Sequence, residues 1–139
     1  MAGHIGVGKG RKDPGYFGRG QLVQNLSAVT AACLVVRKRV FDEVGGLDEG
    51  LTVAFNDIDF CLRLRRAGYR NVWTPHAEAY HHESASRGAE DTPEKRVRFM
   101  GEVDFMERRW GDALRADPAY NPNLTLSGSP FEMAFPPCT

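Results

Sequence analysis

The chain has 139 residues, and its 18 Lys plus Arg balance its 18 Asp plus Glu. That length supports one modest core, and the neutral balance gives no global pull toward nucleic acid or an anionic membrane. A hydrophobic fraction of 42% excludes a disordered chain, and three cysteines are too few and too scattered for a disulfide framework or a zinc site.

Cys33, Cys61 and Cys138 point instead to a reducing, cytoplasmic setting. No apolar run reaches the length of a membrane span, and Met1-Ala2-Gly3-His4 does not begin a signal peptide. Residues 1–26 form a loop-rich N-terminal segment of Gly and basic residues without periodicity. Within it, "GHIGVGKG" matches a phosphate loop at Gly3, Gly8 and Lys9. Gly10, however, stands where a Ser or Thr must reach the metal, and no strand precedes it. A plain loop is the expectation.

"SAVTAACLVV", residues 27–36, is dense in Val, Ala and Thr and reads as a buried strand. "RVFDEVGG" follows as a short helix with Val40, Phe41 and Val44 on one side. Gly45 and Gly46 stop it, because glycine takes the left-handed C-terminal conformation without a Cβ clash. A second helix spans "NDIDFCLRLRRAG". Asn56 is its expected N-cap, Asp59 completes a capping arrangement, and Ile58, Cys61, Leu62 and Ala67 form a partial apolar stripe. "NVWTP" and "AEAYHH" read as short extended segments around Pro75.

The last helix is the clearest. Thr92 caps it and Pro93 takes the first helical position, where its missing N–H costs nothing. Phe99, Val103, Met106, Trp110 and Leu114 then make one continuous apolar face, the pattern of core packing. Residues 119–139 carry four of the eight prolines and read as an irregular tail. The order is strand, helix, helix, strand, strand, long helix. Those few strands suggest the second half of an α/β domain.

Candidate chemistry gathers at two places. Asp57 sits in the first turn of its helix, where the macrodipole favours a negative charge, and a carboxylate there can serve as a general base. From the local pattern alone, an acid that only stabilises the helix start is the better reading. His81 and His82 offer imidazoles, but adjacent residues on a strand point to opposite faces, so the pair does not easily share one ion. The loop after them is small and hydroxyl-rich, and Arg87 at its end can pair with a diphosphate.

With these residues identified, the chain resembles the C-terminal half of a bacterial family-2 glycosyltransferase of the GT-A fold, of the type that makes O-antigen and other surface polysaccharides. "SAVTAACLVVRKRVFDEVGGLDE" is similar to the strand, helix and turn that precede the catalytic acid. "FNDIDFCLRLRRAGYR" resembles the family's Glu-Asp-x-Asp-Leu-Cys-x-Arg helix, "VWTPHAEAYHHESASRG" the strand pair ending in His-x-x-Ser-x-Ser, and "YNPNL" a segment after the last helix.

The resemblance implies an α/β fold: a partial GT-A, nucleotide-diphospho-sugar transferase architecture with a few strands and a long C-terminal helix. Residues 27–118 would be the acceptor-side half of the catalytic domain. It implies transfer of a sugar from a nucleotide-diphosphate donor to a glycan acceptor hydroxyl, with inversion, and Asp57 as the catalytic base. Mg²⁺ or Mn²⁺ would serve the full enzyme, with His81 as a ligand and His82 as second choice, and Ser84 and Arg87 would bind substrate near the diphosphate.

Two departures matter. Asn56 replaces the Glu that many members carry, and the family's own metal-binding Asp-x-Asp belongs to a first half that is not in this sequence. Asp57-x-Asp59 is not that motif, so Asp59 is expected to be structural. The fragment alone should bind neither donor nor metal well and should not turn over efficiently. Its exposed sheet edge should drive homodimerisation or segment exchange. No nucleic-acid partner and no integral membrane segment are expected, and peripheral association with the inner membrane is the most that acceptors on lipid carriers would require. Two other readings stay open: a metal-dependent phosphoester hydrolase using Asp57, Asp59 and a histidine, and a non-catalytic carbohydrate-binding or assembly module.

Overall fold

A computed structural model describes residues 3–82, 92–125 and 130–136. Among them are a two-stranded antiparallel sheet, β1 (Gln24–Leu26) and β2 (Asn71–Trp73), and three α-helices: α1 (Lys38–Glu43), α2 (Asn56–Arg66) and α3 (Pro93–Arg115). Gln24 pairs with Trp73, Asn25 with Val72 and Leu26 with Asn71. A kinked 3₁₀ segment, broken at Phe17 and Gly18, occupies Tyr16–Gln21, and a single 3₁₀ turn Ala31–Cys33. The architecture is therefore mixed α/β, with helices carrying most of the order.

α2 is the centre of the packing. One side meets α3 through Leu51, Leu62, Met106 and Trp110, with Phe55, Ile58 and Phe105 against them. The other side meets α1 through Val40, Phe60 and Leu64, with Phe41 and Val44 alongside. The apolar stripe on the last helix does this packing: Met106 and Trp110 are buried, and Phe99, Val103 and Leu114 are half-buried. Thr92 caps α3 by accepting from the Lys95 N–H at 3.4 Å, with Pro93 at the helix start, as the sequence predicts.

The Gly-Gly stop of α1 also forms. Gly45 and Gly46 have φ of 82° and 67°. At Gly46 a Cβ would lie 3.0 Å from the Phe41 ring, so both the conformation and the close approach require glycine. Residues 3–10 are exposed turn and loop, and Lys9 reaches Asp13 at 3.4 Å.

Four expectations are corrected. The apolar run 27–36 is not a strand. A strand needs a neighbour to satisfy its backbone, and among the described residues the sheet contains only β1 and β2. Side chains of α2 and β2 hold the run instead. The Cys61 thiol donates to Val29 O at 3.6 Å, the Asn71 amide donates to Ser27 O at 2.9 Å, and Asp57 accepts from Ala31 N–H at 3.0 Å. Asn56 is not the cap of α2. Phe55 takes that position with φ of 63°, costly for a bulky residue, and packs its ring 5.5 Å from Phe99. "AEAYHH" forms no strand and is exposed.

Asp59 does not cap the helix either. Its side chain is 0% exposed. Oδ2 accepts from Arg63 Nε at 2.8 Å, one helical turn on. Oδ1 accepts from the indole N–H of Trp110 at 2.8 Å and lies 3.3 Å from Arg109. The two terminal nitrogens of Arg63 donate to the carbonyls of Val44 and Gly46, the latter at 2.6 Å. One buried carboxylate thus joins α2 to α3 directly, and to the Gly-Gly turn through Arg63. The expectation that Asp59 is structural holds, by a different mechanism.

Candidate active site

Asp57 lies in the first turn of α2 and is half-buried. Oδ2 accepts from Ala31 N–H at 3.0 Å and Oδ1 from Ile58 N–H at 2.9 Å. A carboxylate has about four lone-pair sites, so these two bonds fix its direction and leave capacity for an incoming hydroxyl. The first bond also shows a structural duty, because Asp57 holds the 3₁₀ turn Ala31–Cys33 against the helix start.

The approach to Asp57 is built from the far side of the chain. Glu102, on α3, is 4% exposed. Its carboxylate accepts from Val53 N–H at 2.9 Å, Ala54 N–H at 3.0 Å and the Thr52 hydroxyl at 3.1 Å. It therefore fixes the three residues that lead into Phe55 and so sets where α2 begins. Sequence reasoning missed Glu102. On the helical pattern it sits beside the Phe99, Val103, Met106 face, and an acid bordering such a face was the available signal.

The turn before this loop carries a second anchor. Asp48 accepts from Gly50 N–H at 2.9 Å and from Arg109 at 2.5 Å. The Gly50 bond first, and the Arg109 guanidinium next, hold the Asp48 carboxyl below the usual carboxylate range. Burial pushes the Cys61 thiol up, which keeps it protonated at neutral pH.

Asp57 and Asp59 diverge: the first faces Ala31, the second is enclosed with Arg63 and Trp110. They do not converge on one ion, which removes the phosphoester hydrolase built on that pair. His81 and His82 are both exposed on the chain after β2, and neither shares a hydrogen bond with Asp57 among the described residues. Among the described residues, no group of three or more His, Cys, Asp and Glu could hold a metal ion. These residues alone therefore do not fit a metal centre. Ser84 and Arg87 lie outside the described residues.

With this geometry in view, three relatives are informative. The uncharacterised protein y4gI of Sinorhizobium fredii is 61% identical over 137 residues, 98% of this chain and 15% of the relative. The O-antigen biosynthesis protein RfbC of Myxococcus xanthus is 38% identical over 113 residues, 81% of this chain and 8% of the relative. An N-acetylglucosaminyl-diphospho-decaprenol L-rhamnosyltransferase of Mycobacterium tuberculosis is 39% identical over 101 residues, 73% of this chain and 32% of the relative. The chain thus spans a third or less of the length of each of these relatives. No protein-family profile and no solved structure matches it. Among the described residues, no helix is long and apolar enough to cross a membrane.

The Glu102 anchor gives a direct test. Glu102→Ala leaves two backbone N–H groups and a hydroxyl without their acceptor, at a cost of about 2–4 kcal/mol. Amide exchange at Val53 and Ala54 should accelerate well beyond that of α1. Unchanged protection at those two amides would show that Glu102 does not hold the loop.

Proposed function

We propose that this chain is the acceptor-side part of an inverting glycosyltransferase of surface-polysaccharide synthesis, with a GT-A catalytic domain completed by sequence outside it. The observation that carries the reading is Asp57. It stands at the start of α2 with its carboxylate aimed by Ala31 and Ile58, on a helix fixed by Asp59 and Glu102. The similarity to proteins named for O-antigen biosynthesis and rhamnosyl transfer supports the reaction class.

In this reading Asp57 accepts the proton of an acceptor hydroxyl as its oxygen attacks the anomeric carbon of a nucleotide-diphosphate sugar. The new glycosidic C–O bond forms on the face opposite the leaving group, and the bond to the diphosphate breaks with its electron pair on phosphate oxygen. Attack from the opposite face inverts the anomeric centre. Mg²⁺ or Mn²⁺, if the complete enzyme uses one, would neutralise the leaving diphosphate. His81 or His82 could join such a site only with ligands from outside the described residues, and no step depends on it here. The acceptor would be a growing glycan. The name of the mycobacterial relative makes a diphospho-lipid carrier the natural candidate for its other end. Free thiols at Cys33 and Cys61 fit a reducing cytoplasmic compartment.

A second reading has its own support. The Ala31 bond gives Asp57 a structural task, which suits a carbohydrate-binding or assembly module that performs no chemistry.

In a protein that supplies the donor-binding half, Asp57→Asn should lower transfer by at least about two orders of magnitude and leave nucleotide binding largely intact. Sugar transfer by this variant at the parent rate would remove Asp57 as the base and favour the binding module. The exposed apolar segment 34–36 generates a separate expectation. Val35 is 95% exposed between the half-buried Leu34 and Val36, and among the described residues this segment pairs with no strand. Sedimentation of the 139-residue chain should therefore show a dimer at micromolar concentration, and a monomer there would refute self-association through this segment.

A further inference from the structure

Beyond Asp57, the chain holds a groove of about 580 Å³ between β1 and the C-terminal end of α2. Its lining contains three arginines, Arg19, Arg65 and Arg70, with Gln24 and Asn25 beside them, and no Asp or Glu. Arg65 and Arg70 have no hydrogen-bond or ion-pair partner for their guanidinium groups among the described residues. Arg19 lies over the Phe131 ring at 5.4 Å, and its Nε is buried without a partner. The two carboxylates whose partners border the groove are already engaged. Glu43 accepts from the Tyr69 hydroxyl at 2.8 Å, and Asp117 accepts from Ser27 and from Ala119 N–H.

Three cations around one concave site with no counter-charge in its lining is an uncompensated arrangement. Guanidinium groups match phosphate oxygens with paired N–H donors, and the volume lies within the range of ligand sites. We propose that this groove binds a phosphate-bearing anion, with a diphosphate as the preferred ligand because three guanidiniums can share its charge.

The site is separate from Asp57. Arg65 lies eight residues further along α2, about 12 Å at the rise of an α-helix. The inference does not require the chain to transfer sugar, since it concerns binding by the chain itself. A diphosphate could arrive free in solution or as the head of a lipid carrier, and the chemistry of recognition is the same.

The test titrates the 139-residue chain with inorganic pyrophosphate by NMR. Saturable shifts should appear at residues 24–27 and 70–71. Arg65→Gln/Arg70→Gln should weaken binding by about tenfold or more. Arg96→Gln/Arg108→Gln, which removes the same charge on α3, should not. Absence of saturable binding, or equal loss in the two double variants, would overturn the proposal. A second arm uses phosphatidylcholine vesicles with and without a polyprenyl diphosphate. Retention on the doped vesicles, competed by pyrophosphate, assigns the groove to a lipid-borne diphosphate. Pyrophosphate binding without retention assigns it to a soluble one.

Discussion

A carboxylate removed from water costs several kcal/mol unless its partners replace the lost hydration. Asp59 meets that demand with Arg63 and Trp110 and the nearby Arg109, and every one of those partners belongs to a different structural obligation. Arg63 holds the carbonyls left open at the end of α1 and in the Gly-Gly turn. Trp110 is the buried anchor of α3. Arg109 ties in Asp48 and so the turn that leads toward α2. Moving any one element would strand a charge in the interior, so the three helices share one constraint.

The candidate site depends on that constraint at one remove. Asp57 is two residues from Asp59 on the same helix turn, yet it faces the opposite partner set. The buried acid fixes the rotation of α2, and this rotation presents Asp57 toward the segment at Ala31. Glu102 fixes the axial start of the helix by gripping residues 52–54. Rotation and start together define a carboxylate position to a precision that a loop-borne acid would not reach, which is what a general base requires. The arginine groove sits at the other end of the same helix, so α2 links a proposed chemical end to a proposed anion-binding end.

Local pattern was enough for some elements. The Phe99 to Leu114 stripe with Thr92 and Pro93 specified α3, and the glycine pair specified the end of α1, because both signals act within a few residues. The run 27–36 misled because β-rich composition measures suitability for a sheet, while a strand also needs a neighbour. Asn56 misled because the cap was decided by tertiary contacts of Phe55 and Glu102 and not by side-chain propensity. Asp59 and Glu102 bond to partners 48 to 51 residues away, and the groove brings Arg19 beside Arg65 and Arg70 from a distant part of the chain, which spacing cannot reveal. A faint sign existed for Asp59: an acid and an arginine at i, i+4 in the otherwise apolar "DFCLRL" run. The proposed role of Asp57 rests on the family resemblance, since its local pattern is better described as a helix-start acid.

The chain has two tryptophans, and they make the central constraint directly measurable. The Trp110 indole N–H donates to the buried Asp59, whereas the half-buried Trp73 has no such bond among the described residues. Hydrogen exchange of the two indole protons, followed by NMR, should show Trp110 exchanging only on global unfolding while Trp73 exchanges rapidly. Rapid exchange at both would mean that Asp59 is not enclosed with Trp110, and the account of how α2 and α3 are held would be wrong.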